Sequence, residues 1–319
     1  MIRRGSWVRR RSYGQDMLFY VEEVRPDGRA LLSGVEYRVL ADAEIRDLAE
    51  QSEEAVRSTR RRETLRIQEK MEELKRRHSR AGITYGGSFP KNVRILHLDG
   101  DAEYLEICRQ YYRELGLEVY GEAIEERKQP LEVLRCLRQY RPEILVVTGH
   151  DSLPRGTQDL MREESYRSSR FFAETVRRAR SYQPDMDRLV IIAGACQSYY
   201  ELLMEKGANF ASSPGRVLIH AMDPVILCAE IAYTPLQERV NVEEAVSLTF
   251  SGERRLRYDG QIPQRISFGP QENSELGRIE RPRRHIVYYH GHREERKNAE
   301  KMGTTAGPLD CDYFYMFRL

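Results

Sequence analysis

No CxxC pair occurs in the chain, and its five cysteines are scattered and odd in number. This argues against a structural zinc site with the usual ligand spacing and against a disulfide framework. No apolar run approaches the length of a bilayer span, and Met1-Ile2-Arg3-Arg4-Gly5 lacks the apolar stretch of a leader peptide. The expectation is a chain made and kept in a reducing cytoplasm, with no membrane partner. An excess of one charge is missing too. Charged residues reach 32%, yet the net charge is only +2, so bulk charge argues neither for nor against nucleic acid; a nucleic-acid partner is not expected. What is present is 40% apolar residues, enough for one substantial core, and 319 residues, enough for roughly two or three domains.

Residues 1–42 read as a small β domain, SH3-like and barrel-like. Short strand candidates are Trp7-Val8, Met17 to Val21, Ala30 to Leu32 and Tyr37 to Leu40, with a hairpin signal at Asp27-Gly28. Arg3, Arg4, Arg9, Arg10 and Arg11, with Trp7 and Tyr13, suit nucleic acid by type, but the preferred reading is a charged, solvated edge. Residues 43–90 read as a charged, solvated connecting helix without a sustained heptad. Ile45, Leu48, Val56, Leu65, Ile67, Met71 and Leu74 are spread thinly through it, and Gly82, Gly86, Gly87 and Pro90 close it. From residue 91 to about 270, strands and helices alternate, which predicts a three-layer α/β domain around a mostly parallel sheet. Strands are expected at Val93–Leu98, Leu117–Tyr120, Ile144–Thr148, Leu189–Ala193 and Arg216–Ala221. Between them, Ile107 and Cys108 fall on one helix, and Leu131, Val133 and Leu137 on the next. A polar loop from Asp151 to about Glu164 and a helix with Phe171, Phe172, Val176 and Ala179 interrupt the alternation. Residues 271–319 form a basic, aromatic tail.

Two apolar strands end alike. Ile144-Leu145-Val146-Val147-Thr148-Gly149 delivers His150, and Leu189-Val190-Ile191-Ile192-Ala193-Gly194-Ala195 delivers Cys196. Open α/β sheets place ligands at the carboxyl ends of their strands, and a thiol nucleophile needs a base at its side. Either residue alone reads as a core thiol or a loop histidine; the matching contexts make them a candidate catalytic pair. Asp99 and Asp101 leave the first strand at the same rim. They fit turn and N-cap positions or a pocket for a cationic side chain. Asp223, after Ala221, competes for the pocket role.

The histidine and the cysteine after successive apolar strands resemble the caspase-like cysteine peptidases, the group that includes clostripain, gingipains and legumain. Within it, the chain is similar to the YabG-type sporulation-specific peptidases of endospore-forming bacteria. The stretches that carry this are Ser12-Tyr13 through Leu18-Phe19, His97 to Asp101, Thr148 to Asp151, Gly194 to Ser198, Gly207 to Pro214 and Val217 to Ala221. The wider group commonly has glycine after the histidine; Asp151 stands here.

The resemblance implies a caspase-like fold and cleavage after arginine or lysine in spore coat and related proteins. It also implies self-processing, for which Arg57 to Arg62 and Arg281 to Arg284 offer sites, and a place in the mother-cell cytoplasm beside the forming coat. Cys196 would attack the scissile carbonyl, His150 would move the proton, and the amides of Cys196 and Asp151 would hold the oxyanion. Asp101, then Asp99, then Asp223 would meet the substrate's guanidinium. No cofactor and no metal are called for. Two other readings stay open: a receiver-like phosphoacceptor domain, suggested by Asp99-Gly100-Asp101 but lacking an aspartate at the end of the third strand, and a catalytically inactive peptidase-like binding protein.

Overall fold

A computed structural model describes residues 1–80, 82, 93–153, 157, 159–213, 216, 218–235 and 238–252, with the backbone of 256–258. The glycine- and proline-broken stretch 83–92, the basic site at Arg281 to Arg284 and the aromatic tail lie outside them.

Five short strands begin the chain: β1 (Trp7–Arg10), β2 (Phe19–Val24), β3 (Arg29–Gly34), β4 (Leu40–Glu44) and β5 (Leu48–Glu50). They form an antiparallel sheet in the order β4-β3-β2-β1-β5. Alternate residues point inward, as a two-residue period requires: Ala30, Leu32, Ala41 and Ala43 are buried. The Asp27-Gly28 turn joins β2 to β3. Gly28 takes a φ of +80°, and the Asp27 carboxylate accepts the Arg29 amide.

The charged stretch then forms one helix, α1 (Glu53–Arg80). It is not the solvated connector that its composition suggests. Ile67, Met71, Leu74 and His78 recur at helical spacing and are buried, and the first three join the core of the second sheet. The stripe is narrow and flanked by charge, so composition alone conceals it.

The second sheet alternates with helices: β6 (Arg94–Asp99), α2 (Ala102–Glu114), β7 (Glu118–Ala123), α3 (Gln129–Tyr140), β8 (Ile144–Thr148), α4 (Ser169–Tyr182), β9 (Val190–Ala193), α5 (Tyr200–Glu205), β10 (Phe210–Ser212), α6 (Asp223–Tyr233), α7 (Val242–Ser247) and β11 (Leu256–Tyr258). The order is β11-β10-β9-β8-β6-β7, parallel except for β11 against β10. Ile95, Ile144 and Val146 face the layer of α1, α2, α6 and α7; Leu96, Leu145 and Val147 face α3, α4 and α5. Three layers result, and both sheets belong to one compact unit. Ile107 and Leu131 turn outward instead of into the core.

Among the described residues of Arg216–Ala221 no strand forms. Phe210–Ser212 takes the place beside β9, with Phe210 opposite Ile192. Ser213 (φ +66°) and Arg216 (φ +57°) then break the extended path, leaving one isolated bridge at His220. No helix is long and apolar enough to cross a membrane among the described residues.

Because Met71 and Leu74 lie in a shared core, replacing either with alanine should cost about 2–5 kcal/mol of unfolding free energy. Leu65→Ala, at a position 47% exposed, should change it by less than about 0.5 kcal/mol. Denaturant titration of the three variants checks this; equal small losses would mean that α1 does not share the core.

Candidate functional site

The neighbours β9, β8 and β6 run parallel, so their carboxyl ends share one rim. Asp99 pairs with Thr148, and Val147 with Ala193. Past those ends the chain supplies Gly100-Asp101, Gly149-His150-Asp151 and Gly194-Ala195-Cys196.

Cys196 sits in a tight strand-to-helix turn. Gly194 has φ +108°, and Gln197, a non-glycine residue, has φ +58°. A Cβ on Gly194 would lie 2.4 Å from Ser212 Oγ, so only glycine fits. The turn is pinned by Thr148 Oγ1 donating to the Gly194 carbonyl (2.9 Å), Ser212 Oγ donating to the Ala195 carbonyl (3.1 Å) and the Ala195 amide donating to Ser198 Oγ (2.9 Å). Strained backbone at such a turn is a recurrent mark of functional residues. The thiol is fully buried, held between the amide (3.4 Å) and carbonyl (3.5 Å) of Ile219. Burial pushes it up to about 12, against the pull of the Ile219 backbone and the Arg38 charge.

His150 is fixed by two carboxylates. Its amide donates to Glu126 Oε1 (2.7 Å), the same oxygen lies 3.8 Å from Nδ1, and Asp101 Oδ2 lies 3.6 Å from Nε2. Glu126 follows β7 in a single 3-10 turn, and its side chain crosses the rim over two glycines. A Cβ on Gly100 or Gly149 would come within 2.1 or 2.4 Å of Oε1. Burial alone would raise the Glu126 carboxyl, yet the hydrogen bonds from His150 hold it below the usual range. Sequence reasoning missed Glu126 inside a charged run. The available signal was the pair of glycines placed directly after two strand ends. Among the described residues no hydrogen bond joins His150 to Cys196. The Tyr104 ring stands 6.2 Å from that of His150, with its hydroxyl donating to the Gly34 carbonyl (2.8 Å).

The acids are placed differently from one another. Asp101 caps α2, accepting the amides of Glu103 (2.8 Å) and Tyr104 (3.1 Å). Asp99 is fully buried and already has a cation: Arg38, from the β3–β4 loop, puts Nη1 2.7 Å from its Oδ2. Burial would raise the Asp99 carboxyl, but Arg38 and His97 hold it down to about 2. Asp223 starts α6 facing inward, and its carboxylate accepts the amides of Phe250 (2.8 Å) and His220 (3.2 Å). His220, next to the thiol's backbone partner, has both ring nitrogens engaged, by Glu63 and by the Met222 amide. Asp151 is buried, its side chain accepting the amides of Ser152 and Ser168 and the hydroxyls of Ser198 and Ser169. It thereby ties the insertion after β8 to the cysteine turn. Among the described residues no group of three or more His, Cys, Asp or Glu side chains could hold a metal ion.

Residues 3–257 match the model of the family YabG peptidase U57. The chain is also similar to the Sporulation-specific protease YabG of Bacillus subtilis (strain 168). The two are 38% identical over 273 residues, which cover 79% of this chain and 92% of that one. No solved structure matches it.

Burial raises the Asp151 carboxyl to about 6, against the hydrogen bonds from Ser169, Ser168, Ser152 and Ser198. The folded protein therefore keeps this proton from the unfolded value near 3.8 up to about pH 6, and stability falls as pH rises through that window. The fall should reach about 3 kcal/mol and vanish in Asp151→Asn. Denaturant midpoints from pH 4 to 7 test it; an unchanged slope in the variant would assign the effect to other groups.

Proposed function

The chain belongs to the YabG peptidase family, and from that membership we propose a sporulation-specific cysteine endopeptidase that cleaves after arginine or lysine. Cys196 is the nucleophile and His150 the base. The observation that carries this reading is the pairing of β8 with β9, which brings His150 and the strained cysteine turn to one rim. The Cys196 thiol gives its proton to His150, and the sulfur attacks the scissile carbonyl. His150 returns the proton to the leaving amine, and water, deprotonated by His150, releases the acid from the thioester. The amides of Cys196 and Asp151 face the oxyanion; one such donor contributes about 2.7–4 kcal/mol. The steps call for no metal or organic cofactor.

Of the three carboxylates weighed for the substrate's cation, Asp99 has the best support, since it alone holds a guanidinium. Asp101 is occupied as a helix cap beside His150, and Asp223 by backbone amides. Glu126 is a positioning residue, acting through its contacts to His150. The substrates are proteins of the forming spore coat, met in the mother-cell cytoplasm. Self-processing at Arg57 to Arg62 or Arg281 to Arg284 belongs to the same reading, as does a peptidase domain over 91–270 that follows a small β domain.

Cys196→Ala should abolish cleavage of arginyl and lysyl reporters while preserving the fold, and His150→Ala should lose nearly all of it. Aspartyl reporters should stay intact throughout. Cleavage by Cys196→Ala at the parent rate would end the proposal.

Glu126→Ala should lower kcat by about ten- to hundredfold through misplacement of the imidazole, with KM little changed. Gly149→Ala, which collides with the same side chain, should behave alike. A KM effect alone would give Glu126 a different task.

A further inference from the structure

The buried arginine has a setting that a simple staple between two sheets does not need. The β3–β4 loop folds back on itself. The Gly34 amide donates to the Val39 carbonyl (2.9 Å), and the Val39 amide to the Tyr37 carbonyl (2.7 Å), which puts Arg38 at the tip. The tip is bridged on both sides. Tyr37 pairs antiparallel with His220, and Val39 pairs parallel with Asp151. His220 follows Ile219, whose backbone holds the Cys196 sulfur, and Asp151 follows His150. Tyr37-Arg38-Val39 therefore lies as a tight turn, held by one isolated bridge on each side, between the segment that holds the thiol and the segment that carries the base. Main-chain pairing of this kind is a general way for a protein to grip an extended peptide.

The side chain completes the likeness. Arg38 runs inward and is 2% exposed. Nη1 meets Asp99 Oδ2 at 2.7 Å and Thr148 Oγ1 at 3.3 Å, Nη2 meets Cys108 Sγ at 3.5 Å, and the guanidinium lies 4.8 Å over the Tyr104 ring. These contacts make a closed, acidic slot shaped for a planar cation. Charge more than hydrogen bonding holds the occupant: among the described residues Arg38 Nε, Asp99 Oδ2 and His97 Nε2 all lack a hydrogen-bond partner, whereas buried polar atoms are nearly always paired. The open groove nearby, of ≈ 310 Å³ and lined by Leu40, Ala41, Ser152 and Leu153 among others, lies beside the loop and not at the thiol.

We propose that Tyr37-Arg38-Val39 is a built-in inhibitor lying in the peptidase's own substrate cleft, with Arg38 filling the subsite for the arginine before the scissile bond and Asp99 as that subsite's acid. This rests on the reading of Cys196 as the nucleophile. The Arg38–Val39 bond escapes cleavage because the Val39 amide is turned back onto Tyr37, away from the extended form that a scissile bond adopts. A substrate arginine enters when the loop withdraws, and the same movement uncovers the thiol. The apparent affinity for substrate is then lowered by the fraction of molecules in which the loop is seated.

The test uses the full chain and follows labelling of Cys196 by an arginyl chloromethyl ketone and by its norleucyl counterpart, read by mass spectrometry. Arg38→Ala should raise the rate with the arginyl reagent by about tenfold or more and keep the preference for it. Adding Asp99→Asn should remove that preference. Arg38→Lys leaves a cation on Asp99, so the fold is retained, and it should give a smaller gain. The proposal is overturned if folded Arg38→Ala and Arg38→Lys label no faster than the parent, if the double variant keeps its arginine preference, or if the parent cuts itself at Arg38–Val39. Failure of the peptidase reading has another signature: no variant reacts at Cys196. Ethylguanidinium still reports on the slot in that event. It should raise the melting temperature of Arg38→Ala and not that of Arg38→Ala/Asp99→Asn; a rise in neither overturns the assignment of Asp99.

Discussion

An arginine from the amino-terminal sheet neutralises an aspartate at the end of the central sheet, and both are withdrawn from water. Neither charge could stay there alone, since removing one partner of a buried pair typically costs about 3–5 kcal/mol. The contact therefore sets where the β3–β4 loop sits, and the loop in turn sets the bridges to Asp151 and His220. The rim is thus assembled from two sheets, and its chemistry depends on a residue more than a hundred positions before the thiol. Asp99 could not act as a free acidic group in this state, because it is held down to about 2 by the charge it meets.

Much of the central sheet was legible because its signals are local. Ile144 to Thr148 and Leu189 to Ala193 are continuous apolar runs, and a parallel strand buried on both faces needs that pattern. The last expected strand failed for a reason that periodicity does not carry. Val217 to His220 reads as β-branched and apolar, but the place beside β9 was already filled by Phe210–Ser212. The helix α1 failed in the opposite way: its buried stripe has the right spacing, and the surrounding charge hides it.

The site was legible only where residues lie next to strand ends. His150 and Cys196 stand out because short apolar blocks point at them. Arg38 and Glu126 do not, because each reaches the rim across space from a segment with no pattern of its own. Arg38 looks like one more charge on a small β unit, and Glu126 like one more acid in Glu125-Glu126-Arg127-Lys128. The same holds for Asp151, whose four partners come from three separate stretches. Only Gly100 and Gly149 hinted at something crossing above them, and glycine also follows strands simply to let the chain turn.

Cys108, Cys136, Cys196 and Cys228 are all buried, and burial pushes the thiols of Cys108, Cys196 and Cys228 up to about 12. Oxidants and disulfides react with thiolates, and with thiols they can reach. In this state none of these four sulfurs meets either condition. Burial thus gives the sulfur at the rim the same shelter from peroxide and disulfide exchange as the three core thiols.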